Sequence, residues 1–326
     1  MISENKDNPS VSPLDKGGIK GGLFKDQTGG VALILVVWVI VVLIAIVGEF
    51  SYSMRTEINI TRNFKEEEEA YQLALAGIQQ AKAEILNAKD LSKMYVDGNG
   101  VLIVDPESEL PERKDNLGKG NFQYTITDEN GRMNLNTATM EQLRSIFSNA
   151  GIESTGVDTI IDSIFDWRDT DDLHMLNGAE DDYYQSLDRP YSSKDGPFSL
   201  PEELLLVKGV TPGIFYGSNA NSEQEAIDGI GKYFTVYGSG VINKWTAPRF
   251  VLEAAYGPDE AGNIITQREA GLINVPPAGS QAVSGFFSII STGNNADGTI
   301  KRTVKTVVQK EDDTLEIIYW NDNIIG

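Results

Sequence analysis

One short segment of the chain concentrates carboxylates that could hold a metal ion. Carboxylates at this density repel one another unless a hard cation collects them, and calcium takes about six to eight oxygen ligands from flexible loops. The segment therefore fits a calcium site, and a solvated acidic loop fits it nearly as well. Its carboxylates are Asp166, Asp169, Asp171, Asp172, Glu180, Asp181 and Asp182.

Four of these residues are the predicted calcium ligands: Asp169, Asp171, Glu180 and Asp182. The other three, Asp166, Asp172 and Asp181, are further candidates. The loop is not an EF-hand, because the run that begins at Asp169 lacks the glycine of the sixth loop position. A glycosidase could use two such carboxylates as acid and base, but no spacing here singles out such a pair.

The composition restricts other chemistry. Lysine and arginine number 27 and aspartate and glutamate 48, a formal net charge of −21. Such a chain is a poor binder of nucleic acid or of a lipid surface by charge alone, because those contacts need lysine and arginine. The absence of cysteine excludes disulfides and thiolate sites. A single histidine, His174, argues against zinc sites and Ser-His-Asp triads, and we expect it on the surface of the acidic loop.

An apolar segment near the N-terminus predicts a membrane anchor. Residues 31–48 carry no charge, and a helix of that length spans about 27 Å, close to the thickness of the hydrocarbon layer. A cleaved signal peptide and a buried core helix are the alternatives. Against a signal peptide, no small-x-small cleavage site follows. Against a core helix, the segment is apolar on every face.

The apolar segment continues into an amphipathic one. Residues 54–88 contain no proline, and their small and apolar residues recur at three- and four-residue spacing, which predicts one buried helix face. Together the two segments predict a single helix of about fifty residues. The predicted buried positions are Ala70, Leu73, Ala74, Gly77, Ile78, Ala81 and Ile85.

The junction at Gly29-Gly30-Val31, followed by the apolar helix and the amphipathic helix, resembles a type IV prepilin N-terminus. The resemblance implies that a prepilin peptidase cuts after Gly30 and methylates Val31. Most pilins carry glutamate at the fifth mature position, where this chain has Leu35. That glutamate pairs with the preceding subunit, and an unpaired carboxylate in the bilayer is costly. Leucine at this position therefore resembles a tip subunit, such as the K-type minor pseudopilin of type II secretion.

Beyond the long helix, the pattern predicts strands and short helices. Residues 122–127 alternate like a strand. A helix is predicted around residues 140–147 with Asn136 or Thr137 as its cap, and another over residues 157–167. A short helix is predicted after Ser199 as cap. Trp167 and the Tyr183-Tyr184 pair are expected to pack in the core around the acidic loop.

The C-terminal part repeats one motif and then returns to strands. The run from Asn134 to Leu143 aligns with the run from Asn243 to Leu252, which suggests an internal repeat. Closing strands are predicted over residues 286–292, 302–310 and 314–320, the last two as a hairpin. The predicted fold class is α+β with a large helical insertion.

The helical insertion resembles two protein families. The runs at residues 134–138 and 198–210 resemble tandem helix-hairpin-helix modules of competence-type DNA receptors, an alternative function. However, residues 153–188 hold eleven acidic side chains and one arginine, Arg168, which would repel phosphate. The insert signature around Asp166-Trp167-Arg168-Asp169, with residues 178–191 and 198–210, resembles the K-type pseudopilins (general secretion pathway protein K family).

The K-type resemblance implies a pilin-like fold, in which the long transmembrane and amphipathic helix packs on a small antiparallel sheet. It also implies calcium in the insertion, a tip position in the pseudopilus, and partners that are the I- and J-type minor pseudopilins and the major pseudopilin. The expected location is the inner membrane, crossed once, with the C-terminal domain in the periplasm. We expect no enzymatic activity and no nucleic-acid partner. A minor pilin of a type IV pilus is a further alternative.

The implied organisation has five parts. They are a cleaved leader (1–30), the transmembrane part of the helix (31–49), the rest of the helix with the first part of the pilin-like domain (50–133), a helical SAM-like insertion with the acidic loop (134–232), and a second SAM-like repeat with the closing strands (233–326).

Overall fold

The computed structural model describes residues 28–108, 112–218, 227–270 and 285–324. Within these ranges the α-helices are α1 (Thr28–Asn87), α2 (Met140–Asn149), α3 (Ser154–Arg168), α4 (Asp181–Gln185), α5 (Pro212–Tyr216), α6 (Arg249–Tyr256) and α7 (Pro258–Glu269). The strands are β1 (Tyr95–Val96), β2 (Leu102–Ile103), β3 (Lys114–Leu117), β4 (Gly120–Asp128), β5 (Met133–Asn134), β6 (Gly217–Ser218), β7 (Ile227–Asp228), β8 (Phe234–Thr235), β9 (Phe286–Asn294), β10 (Lys301–Glu311) and β11 (Thr314–Ile324). Short 3₁₀ helices cover Leu91–Lys93, Glu129–Gly131, Pro201–Leu206 and Gly231–Tyr233.

The chain divides into two compact units, Met1–Arg62 and Asn63–Gly326. In the first unit, every described residue belongs to α1. The large apolar side chains from Val31 to Val47 are exposed along this helix, Leu35 to 62%. The helix is long and apolar enough to cross a membrane, as residues 31–48 predict.

A five-stranded antiparallel sheet forms the base of the second unit, in the order β11-β10-β9-β4-β3. Its central register places Ile126 opposite Ile289, and Ile289 opposite Thr306. The strands predicted over residues 122–127, 286–292, 302–310 and 314–320 are confirmed, and the last two form the expected hairpin.

The C-terminal part of α1 packs against this sheet. All seven positions of the predicted helix face are buried, which confirms the amphipathic pattern. Glycines allow the helix and the sheet to approach closely: a Cβ at Gly77 would lie 2.2 Å from Ser291 Oγ, and one at Gly293 would lie 2.0 Å from the Ala70 carbonyl oxygen. The core between these layers includes Ile78, Ile85, Tyr124, Phe287 and Val308.

A helical insertion separates two strands that are neighbours in the sheet. The chain leaves β4 at Asp128, forms α2 to α7, and returns at β9. The insertion has a hydrophobic core of its own, which includes Phe147, Ile164, Trp167, Tyr184 and Leu252. The predicted helix over residues 157–167 is confirmed as part of α3, and Trp167 and Tyr184 are core residues, as predicted.

The two aligned motifs adopt the same turn. In each, the side-chain oxygen of the first asparagine, Asn134 or Asn243, accepts a hydrogen bond from the amide two residues on, at 2.9 and 3.1 Å. The backbone oxygen of the same asparagine accepts from the amides three and four residues on, at 3.2 and 2.9 Å in both turns. The strand that begins the first turn, β5, pairs in parallel with β8. This shared geometry supports the internal repeat.

Two predicted helix caps are wrong. Thr139 caps α2, in a capping box with Gln142, because Asn136 and Thr137 are already part of the Asn134 turn. The segment Pro201–Leu206 is a 3₁₀ helix that follows Leu200. Ser199 does not cap it, since the Glu203 carboxylate accepts from the amides of residues 199 and 200.

Candidate metal centre

Three carboxylates of the acidic segment meet at the end of α3. Asp166 lies in the last turn of α3, Asp169 directly follows the helix, and Glu180 precedes α4. One carboxylate oxygen of each lies within 4.8 Å of the others. Two helix ends and the loop between them therefore position the group.

Asp166 organises the loop. Its carboxylate is fully buried and accepts hydrogen bonds from the amides of Met175, at 3.0 Å, and Ala179, at 2.8 Å. A Cβ at Gly178 would lie 1.8 Å from Asp166 Oδ2, so the loop closes over this carboxylate only with glycine there. Burial is the main cause that raises the pKa of Asp166, and nearby carboxylates add to the effect.

Among the described residues, Glu180 is the one of the three whose carboxylate oxygens lack hydrogen-bond partners. It is 2% exposed, and within the described part of the chain neither of its carboxylate oxygens receives a hydrogen bond. The hydroxyl of Ser193 donates to Asp181, and its closeness to Glu180 lowers the pKa of Glu180, an effect that burial outweighs. Burial raises the pKa of the Glu180 carboxyl from its ordinary 4.5 to about 7, and the carboxylates of Asp166 and Asp169 contribute to the increase. A buried carboxylate with free oxygens beside two others fits a hard cation such as calcium.

Asp169 is exposed overall, but partial desolvation of its carboxyl, followed by the charge of Asp171, raises its pKa as well. The three residues would supply three anionic oxygens, fewer than calcium's usual set, so backbone carbonyls or water would complete the shell. Of the four predicted ligands, the structure brings together Asp169 and Glu180. It adds Asp166, which the sequence named as a further candidate.

The other predicted ligands lie outside this group. Asp171 is exposed and accepts from the amide of Leu173, and Asp172 is also exposed. Asp181 accepts from the amide and hydroxyl of Ser193. Asp182 accepts from the amide that follows it. Asp171 and Asp181 are thus used in shaping the loop, a role that counting carboxylates does not reveal.

Two residues that support the loop were not predicted. Asp162, one turn before Asp166 on α3, accepts from the amide and the side chain of Asn177. The ammonium of Lys208 donates to the carbonyls of Asn177 and Gly178, at 3.3 and 2.8 Å. The four-residue spacing of Asp162 and Asp166 places both on one helix face, and this was the sequence signal that could have predicted the role of Asp162.

Aromatic rings lie against the centre. Trp167 is 2% exposed, and its ring contacts Tyr184 edge-on with centroids 5.3 Å apart. Tyr191 and Phe198 complete this cluster. His174 is exposed, as predicted.

The residues of the predicted processing site lie on α1. Gly30 and Val31 are in the first turns of the helix, and a Cβ on Gly30 would meet no atom within 4 Å. Val31 is 65% exposed. Residues 1–27 of the predicted leader (1–30) lie outside the described residues.

The chain is similar to proteins of type II secretion systems. The family model "Type II secretion system (T2SS), protein K" matches residues 120–216, from β4 to the end of α5. The putative type II secretion system protein K of Escherichia coli (strain K12) is 25% identical over 197 residues, and the type II secretion system protein K of Aeromonas hydrophila is 23% identical over 208. Each match covers 58% of this chain, and the chain spans 60% and 61% of the lengths of these relatives.

A solved structure shares the fold. It is a chain in the crystal structure of the GspK-GspI-GspJ complex from the enterotoxigenic Escherichia coli type 2 secretion system. The TM-score is 0.56 at 19% sequence identity, with 81% of this chain and 99% of that chain covered. The predicted α+β fold class is confirmed, and so is the predicted resemblance to protein K.

Proposed function

We propose, from the relation of this chain to the type II secretion system protein K family, that it is a minor pseudopilin at the tip of a type II secretion pseudopilus. There it would start fibre assembly and support export of folded periplasmic proteins across the outer membrane. The observation that carries the proposal is the helical insertion between β4 and β9 of a sheet that packs on a long N-terminal helix. The role is mechanical and includes no catalytic step.

The N-terminal helix supports membrane anchoring. Its apolar part has the length needed to cross a membrane once. In our proposal this is the inner membrane, and the folded domain lies in the periplasm. A prepilin peptidase would cut after Gly30 and methylate Val31. Leu35 leaves no carboxylate in the bilayer, and a tip subunit has no preceding ammonium with which such a carboxylate could pair.

The insertion supports the tip position. A body with its own core, attached to one end of the sheet, would not fit between subunits stacked in a helical lattice. At the tip it meets no such constraint. The partners we propose are the I- and J-type minor pseudopilins, with the major pseudopilin added below.

Calcium is the cofactor that the carboxylates fit. Asp166, Asp169 and Glu180 would hold it, and its charge would offset the repulsion among them. Asp162 and Lys208 keep the loop closed around Asp166 through Asn177 and Gly178. Bound calcium would thus order the insertion.

A DNA-binding role finds no support in the hairpin between α2 and α3. The guanidinium of Arg144 on α2 pairs with the carboxylate of Asp158 on α3, so it is not free for a phosphate. We propose no nucleic-acid partner.

Deleting the gene in the organism that encodes this chain tests the function. Substrates of type II secretion should then accumulate in the periplasm, and the full chain supplied in trans should restore their release. The Gly30→Asp variant should stay unprocessed and fail to restore it, whereas Gly22→Asp in the leader should be processed normally. Mass spectrometry of the mature N-terminus checks the cut and the methyl group on Val31. Normal secretion in the deletion strain would refute the proposed function.

A further inference from the structure

The two edges of the five-stranded sheet differ in a way that indicates a partner. Sheet edges expose unpaired backbone groups, and monomeric proteins protect them with short strands, lysine or proline. The β3 edge has such protection, since it is four residues long and begins with Lys114. The β11 edge is eleven residues long and contains no lysine, arginine or proline. Within the described residues, β11 pairs with β10 alone.

Large apolar side chains lie along the unprotected edge. Ile317 is 45% exposed, Ile318 41% and Trp320 37%. The register places Ile317 opposite Val308 and Trp320 opposite Thr306, and a register shift between Val307 and Val308 leaves Ile318 between the paired positions. Ile317 and Trp320 therefore share the sheet face on which Val308 packs in the core, yet both remain open to solvent.

We propose that the β11 edge receives a β-strand from a partner pilin-like subunit, which extends the sheet. This inference rests on the proposed function, because it assigns a surface to an assembly that the function requires. Backbone hydrogen bonds would supply affinity, and Ile317, Ile318 and Trp320 would supply an apolar contact.

Charge indicates the chemistry of the partner. The charged side chains of β11 are Glu316 and Asp322, both acidic. Asp322 accepts from the Tyr71 hydroxyl at 3.3 Å, and Arg302 of β10 donates to its backbone oxygen at 3.4 Å, so Glu316 is the more open of the two charges. A second copy of this chain would bring the same acidic edge and another net charge of −21. The strand that fits is therefore apolar and flanked by lysine or arginine, on a different subunit.

The test uses the tagged full chain, extracted in mild detergent after co-expression with the I- and J-type pseudopilins of the same organism. One variant, Ile317→Lys, places a lysine on the β11 edge. The matched control, Leu117→Lys, makes the same change on the β3 edge, where Leu117 is 55% exposed. Circular dichroism of each purified variant checks that it folds.

Ile317→Lys should reduce the co-purified partner about tenfold, the loss expected when a charge enters an apolar contact worth about 1.4 kcal/mol. Leu117→Lys should retain the wild-type amount. Equal retention by both variants, or equal loss from both, would overturn the inference while leaving the proposed function intact. If the wild-type chain captures neither pseudopilin, the proposed function fails and this inference fails with it.

A second measurement does not depend on the fold of a lysine variant. The photo-crosslinking residue p-benzoylphenylalanine, placed at Trp320, keeps an aromatic side chain at the edge. Irradiation should give a crosslink to one of the two pseudopilins, and the same residue placed at Leu117 should not. A crosslinked dimer of this chain itself, or a crosslink from Leu117 alone, would overturn the inference.

Discussion

Glutamine at position 180 should stabilise the metal-free protein at alkaline pH and remove its response to calcium. Glu180 is 2% exposed and receives no hydrogen bond within the described residues, so its charge is uncompensated without a cation. Burial raises its pKa from 4.5 to about 7. Because the pKa in the folded state is the higher one, the stability contributed by this group is complete below pH 4.5 and is lost as the pH rises through about 7.

The size of the effect follows from that change in pKa. One unit of pKa corresponds to about 1.4 kcal/mol, and the pKa of Glu180 rises from 4.5 to about 7. The charged carboxylate therefore reduces the free energy of unfolding of the metal-free fold by at most about 3 kcal/mol at pH 8. Glu180→Gln removes the charge and keeps the shape of the side chain. In chelator at pH 8 the variant should therefore unfold at higher denaturant concentration than the wild type, and at pH 4 the two should coincide.

Denaturant unfolding of the full chain in detergent, monitored by tryptophan fluorescence, measures both the stability in chelator and the response to calcium. Calcium should stabilise the wild type at pH 8 and have little effect on Glu180→Gln, since binding to the folded state shifts the equilibrium only while the ligands remain. Asp172→Asn, outside the group, is the matched control and should keep the calcium response. A glutamine variant that is less stable than the wild type in chelator at pH 8 would refute the reasoning.

Three further changes probe the same architecture. Gly178→Ala should weaken calcium binding about tenfold or more in isothermal titration, because its Cβ would lie 1.8 Å from Asp166 Oδ2; Gly262→Ala, where no atom lies within 4 Å, should leave binding unchanged. Thr139→Ala should lower the free energy of unfolding by about 1 kcal/mol, since it removes the cap of α2, and an unchanged value would contradict the capping assignment. Leu35→Glu should lower the amount of chain recovered in the membrane fraction by less than a carboxylate at the centre of the apolar segment, which costs about 2.5–3.5 kcal/mol; equal recovery would show that the carboxylate finds a partner.

The periodic spacing of apolar residues predicts the helices and strands of this fold well. It fails to predict helix caps where a side chain uses the same residues for a local turn. The face of α1 that runs from Ala70 to Ile85 is buried as its three- and four-residue spacing indicates. The cap of α2 was misplaced because Asn134 uses the next residues for its own turn. The sequence pattern does not distinguish a helix cap from a turn at these positions, since Asn and Thr favour both.

The acidic segment shows a similar limit. The acidic composition of residues 166–182 predicts a bound cation, and the structure brings three of the seven carboxylates together. Sequence spacing could not separate Asp166, which α3 points into the loop, from Asp171, which accepts from a nearby amide at the surface. The direction of a side chain at a helix end depends on where the helix stops, and that boundary is the least predictable feature of a pattern.

Polar contacts, some of them buried, connect the sheet to the insertion. At the end of β4, the carboxylate of Asp128 accepts from the Asn243 side chain at 2.9 Å and from the Thr246 hydroxyl at 2.6 Å, which fixes the second asparagine turn to the sheet. The first turn is tied to the segment after β8, since Asn134 donates to the carbonyls of residues 237 and 238.

Further contacts lead towards the carboxylates of Asp166, Asp169 and Glu180. Asn136 exchanges two hydrogen bonds with the backbone of Phe198, at 2.7 and 3.0 Å, and the guanidinium of Arg168, at the end of α3, donates to the Leu135 carbonyl. Asp169 directly follows that arginine. The two copies of the asparagine turn therefore hold different parts of the chain. One fixes the insertion to the sheet, and the other holds the end of the helix that carries Asp166. Because hydrogen bonds in such surroundings are costly to leave unmade, we expect the insertion and the sheet to move together.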